Sequence, residues 1–100
     1  MIEFFESYML DGSMTARVKS PDLPKGMGYT ITLWNDGKVT ARSRAHGNGS
    51  VRYYSHSTYD EALAHGYAWA QRKIAEARKT RARNHAEIER ATEYIRNKLT

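Results

Sequence analysis

The chain contains no cysteine and only two prolines in 100 residues. Without thiols it can form neither disulfides nor thiolate metal sites, which suits a reducing compartment, so a cytoplasmic location is expected. Residues 1–10 hold two glutamates and no basic group ahead of an apolar run, so they do not read as a secretory signal. No apolar stretch approaches the ~20 residues needed to cross a bilayer, and no membrane partner is expected. The four histidines, His46, His56, His65 and His85, lack paired-ligand spacing. No glycine-rich phosphate loop and no nucleophile elbow occurs. Pro21-Asp22 followed by Asp36-Gly37-Lys38 matches the loose spacing of a metal-dependent nuclease, but hairpin geometry accounts for Asp36 and Gly37, and Asp22 lies in a proline loop. No catalytic residue, metal or cofactor is assigned, and an enzyme is not expected.

Regular patterning is what the chain does have. Hydrophobic residues make up 40% of it and aromatics 11%, enough to build one small core. Ile2 to Met9 is rich in β-forming residues and ends at Asp11-Gly12, a hairpin signal because glycine accepts positive φ. Ser13 to Lys19 then alternates apolar and polar residues, as a half-buried strand does. Pro21, Pro24 and Gly26 mark a loop. Tyr29 to Trp34 and Val39 to Ala45 flank Asn35-Asp36-Gly37, read as a three-residue hairpin loop that pairs Leu33 with Val39, Ile31 with Ala41 and Tyr29 with Ser43. The same loop length at Gly47-Asn48-Gly49 pairs Ala45 with Val51 and Ser43 with Tyr53. The outward face then carries Arg17, Lys19, Thr30, Thr32, Trp34, Thr40, Arg42, Arg44, Arg52 and Tyr54, with Arg44 opposite Arg52.

Thr58-Tyr59-Asp60-Glu61 has the spacing of a capping box and starts a helix. Leu63, Tyr67, Ala70, Ile74 and Ala77 form its apolar stripe. One helix from residue 59 to the end would be about 63 Å long at 1.5 Å per residue, against a globule about 35 Å across, so a break is expected near residues 80–84. The fold class that follows is α+β: an antiparallel meander of four to five strands with a long helix on one face, then a second C-terminal helix. Residues 1–79 form the sheet-plus-helix unit. Residues 80–100 form an extension that folds back or pairs with a second copy through Ile88, Ala91, Ile95 and Leu99.

The formal net charge of +5 is concentrated in two blocks. One is Arg42, Arg44 and Arg52 on the sheet; the other is Arg72, Lys73, Arg78, Lys79, Arg81 and Arg83 at the end of the first helix. Clustered Lys and Arg beside exposed Trp34 and Tyr54 suit phosphates and stacked bases. The three-stranded stretch from residue 29 followed by a helix resembles the integrase arm-binding domains, which implies sheet-to-DNA contact through Trp34, Arg42, Arg44 and Arg52. Asp11-Gly12 through Pro21-Asp22-Leu23-Pro24, with Ser57 to Leu63, is similar to HicB-type antitoxins. The expectation is a small non-enzymatic protein that binds nucleic acid, or else an acidic protein surface. The alternative is a phage-type inhibitor or adaptor of a larger complex, in the manner of anti-CRISPR proteins.

Overall fold

The computed structural model describes residues 1–45 and 50–99. Five strands, β1 (Glu3–Tyr8), β2 (Met14–Lys19), β3 (Gly28–Leu33), β4 (Val39–Arg44) and β5 (Val51–His56), precede one helix, α1 (Tyr59–Leu99). The strands pair in chain order as an antiparallel meander, and α1 packs on one face.

Two hairpins share one design. Met9 and Trp34 donate backbone bonds to Ser13 and Lys38 (2.9 Å each), and Gly12 and Gly37 take φ of 88° and 90°. In both, an aspartate accepts from the backbone two residues on: Asp11 from Ser13 at 2.9 Å and Asp36 from Lys38 at 3.0 Å. A turn followed by a left-handed glycine fixes the three-residue loop, and with it the expected β3–β4 register of Tyr29 with Ser43, Ile31 with Ala41 and Leu33 with Val39.

The β4–β5 register departs from expectation. Ala45 bonds to Ser50 at 3.0 Å, Arg44 stands opposite Val51 and Ser43 opposite Arg52. The Gly47-Asn48-Gly49 loop and His46 lie outside the described residues. The intervening segment is one residue longer than a three-residue loop, so every β5 side chain exchanges faces. Tyr54 and His56 point toward the helix, while Val51 and Tyr53 point outward. Packing favours this arrangement: Tyr54 lies over small Ala41, stacks on Tyr29 (centroids 6.0 Å apart) and bonds through its hydroxyl to Ser43 at 3.1 Å.

The core comprises Ala16, Val18, Tyr29, Ile31, Val39 and Ala41 from the sheet against Ala62, Trp69 and Ala70 from the helix. The buried helix face is turned from the expected stripe toward Ala62, Gly66 and Trp69, leaving Tyr67 exposed. Gly66 is where the sheet comes closest: a Cβ there would stand 2.8 Å from the Tyr29 ring. The capping box forms as expected at the helix start, with the Glu61 backbone donating to Thr58 Oγ1 at 3.1 Å and its carboxylate accepting from Ser57 at 3.2 Å.

The expected break at residues 80–84 is absent; α1 is one helix of 41 residues. Neither glycine nor proline interrupts it after Gly66. Thr80 donates to the Glu76 carbonyl (3.0 Å), and the His85–Glu89 pair at 3.0 Å bridges one turn. Asn84 therefore sits inside the helix and does not cap a second one. The chain is far from spherical, so the diameter of a compact globule does not limit the helix. Its extents are 71 × 23 × 21 Å, and its radius of gyration of 19.2 Å exceeds the ~13 Å of a compact chain this long. Every described residue after Ala77 is exposed, so more than half of α1 projects beyond the sheet.

Candidate nucleic-acid interface

Register partners across a sheet share a face, so the outward face can be read strand by strand. Phe5, Arg17, Thr30, Arg42 and Tyr53 are successive partners across all five strands and form one transverse row. The next row is Ser7, Thr15, Thr32, Thr40 and Ser55, a line of hydroxyls. Trp34 closes the end of β3, its Nε1–H donating to Thr40 Oγ1 at 2.9 Å, which holds the indole against the sheet. A shallow cavity of about 500 Å³ runs among Arg17, Thr30, Thr32, Trp34, Arg42 and Tyr53. The Lys19 ammonium rests 5.0 Å from the Phe5 ring centroid. Among the described residues, no carboxylate forms an ion pair with Arg17, Arg42 or Arg44. Their charges face solvent uncompensated.

The expected site residues divide between three places. Trp34, Arg42 and Arg44 are on the outer face. Arg52 and Tyr54 are on the helix side, where Arg52 lines a groove of about 340 Å³ with Trp69, Arg72, Lys73 and Glu76. Arg44 therefore faces Val51, and the Arg44–Arg52 juxtaposition does not occur. Lys73 is paired with Glu76 at 3.4 Å. Arg78, Lys79, Arg81 and Arg83 lie on the exposed part of α1, with Arg78 within 3.6 Å of Asp22. Asp22 also holds the N-terminal amine at 3.4 Å, and Asp36 is bound in its turn. Both nuclease-like carboxylates thus have structural partners.

Three residues outside the expected set share this face with Trp34 and Arg42: Phe5, Arg17 and Tyr53. Arg17 was legible on the outward face of β2. Phe5 is hidden because adjacent Phe4 and Phe5 leave the β1 face ambiguous, and Tyr53 because nothing local in the sequence pins the β4–β5 register.

On the opposite face, the Tyr29 hydroxyl lies 2.6 Å from His65 Nδ1 and 3.2 Å from His56 Nε2. Its single proton can serve one ring, so the other ring donates to the phenolic oxygen. Burial, with Tyr54 adding to it, pushes the Tyr29 pKa up to about 12. The His65 pKa is lowered, first by burial and then by the His56 and Arg72 charges. This cluster holds helix to sheet and has no third ligand: among the described residues no three His, Cys, Asp or Glu side chains are grouped to hold a metal. No helix among them is long and apolar enough to cross a membrane.

The fold so defined is a five-stranded antiparallel meander covered on one side by a single overhanging helix. No protein family, curated protein or solved structure matches the chain, so neither the integrase-like nor the HicB-like resemblance gains support.

Proposed function

We propose that this chain is a small non-enzymatic nucleic-acid-binding protein whose principal contact surface is the outer face of the sheet. The observation that carries the reading is Arg17, Arg42 and Arg44 without acidic partners beside exposed Trp34 and Tyr53. Guanidinium groups fork onto phosphate oxygens, and aromatic faces accept bases. The basic segment of α1 offers further phosphate contacts on a different side. Mobility shifts across a salt series test this. Binding should weaken steeply as salt rises, and Arg42→Glu with Arg44→Glu should weaken it more than Arg81→Glu with Arg83→Glu, lowering the salt slope by about 2. No binding at low salt rejects the reading. A stoichiometric protein retained after nuclease treatment would instead favour the inhibitor or adaptor alternative.

A second reading concerns the overhanging helix. Ile88, Ala91, Ile95 and Leu99 continue, at helical spacing, the face that is covered by the sheet up to Ile74. A second copy of this chain can cover that stripe in only one orientation. Parallel pairing would bring both sheets into the same space, because each lies on the stripe side of its own helix. Antiparallel pairing sends them to opposite ends. Sedimentation of the full chain measures this: twice the monomer mass supports pairing, and a monomer rejects it.

A further inference from the structure

Resting on the nucleic-acid reading, we infer that the outer sheet face takes single-stranded nucleic acid in preference to duplex. Width decides first. Five strands about 4.8 Å apart place Phe5 about 19 Å from Tyr53 along their shared row. The major groove of B-form DNA is about 12 Å wide and admits a helix or a two-stranded ribbon. A sheet of this width laid flat would meet the groove walls with its outer strands before Arg17 and Arg42 reached a base edge.

Side-chain chemistry points the same way. Phe5, Trp34 and Tyr53 are 50%, 47% and 77% exposed, which groups three aromatic rings on this one face. Duplex phosphates need cations and hydroxyls but offer no free base faces, whereas unpaired bases can stack on these rings while Arg17 and Arg42 hold the backbone between them. The hydrogen bond from Trp34 to Thr40 fixes the indole before any ligand arrives, which reduces the ordering cost of stacking. The row of Thr15, Thr32, Thr40 and Ser55 supplies hydroxyls beside the stacking line, suited to sugar and base edges.

The test is fluorescence anisotropy of the full chain with one labelled 12-mer, presented as single-stranded DNA, single-stranded RNA and duplex DNA at a single salt concentration. A single-stranded form should bind at least ~10-fold tighter than the duplex. Tyr53→Ala, at an exposed position whose loss leaves the core intact, should weaken single-strand binding by roughly 10-fold and duplex binding little. Trp34→Ala should do the same, with circular dichroism confirming the fold. Equal or tighter duplex binding, or a Tyr53→Ala variant with unchanged single-strand affinity, overturns the inference and leaves the nucleic-acid reading standing. Failure of all three oligonucleotides to bind overturns both.

Discussion

Tyr29 is the residue on which the fold turns. It is 1% exposed, it packs on Trp69 and Tyr54, and its hydroxyl joins two histidines from different elements. Because the folded state holds the His65 pKa below its ordinary value of 6.5, the unfolded chain binds more protons in that range. Stability contributed by the neutral ring is complete above pH 6.5 and declines as pH falls from there toward the lower folded value. The urea midpoint should therefore be lower at pH 5.5 than at pH 7.5, and His65→Gln should reduce that difference. A pH difference unchanged by His65→Gln would remove His65 from the explanation. None of this cluster was visible beforehand, because His56 and His65 fall within reach of Tyr29 only once β3, β5 and α1 are assembled.

Helix and sheet meet without clearance at Gly66. Alanine is the better helix former by about 1 kcal/mol, so on propensity alone Gly66→Ala should stabilise. Its Cβ would lie 2.8 Å from two Tyr29 ring carbons and 3.3 Å from Phe4 Cε1, and overpacking of that kind costs about 1–3 kcal/mol. The contact is expected to win, so the thermal midpoint of Gly66→Ala should fall by several degrees. A rise would show that the Tyr29 ring yields. Element identities were legible because strand alternation and capping chemistry are local. The β3–β4 register was legible too, since an Asp-Gly pair with a left-handed glycine dictates loop length. The β4–β5 register was not: no Asp-Gly pair pins the loop after Ala45, and the contest was settled by where Tyr54 could be buried.

The 71 Å extent reflects a helix that outruns its sheet. Beyond Ala77 it continues for about 33 Å at 1.5 Å per residue, held by backbone bonds and turn-to-turn pairs without packing. Most helical stability in proteins comes from packing an amphipathic face rather than from propensity, which is the physical ground for expecting a covering partner. Sedimentation of the full chain should give twice the monomer mass at micromolar concentration, and a chain ending at Ala77 should be monomeric with its sheet intact. A monomeric full chain, or a dimer that persists after truncation, would reject pairing through the stripe. The stripe lies on the overhanging part of the helix and the proposed contact surface on the outer face of the sheet, so nucleic acid and a second copy need not compete.

The sequence by itself determined the α+β class, a meander of four to five strands, the β3–β4 register and the start of the helix, because each depends on residues within a few positions of one another. Only the tertiary structure decided which face Arg52, Tyr53 and Tyr54 occupy, that Arg17 and Phe5 share a row with Arg42, and that α1 runs unbroken past the sheet. Face assignment on an edge strand depends on which ring fills the space over Ala41 and Tyr29, and helix length depends on whether the chain must fold back. Contacts between distant segments settle both.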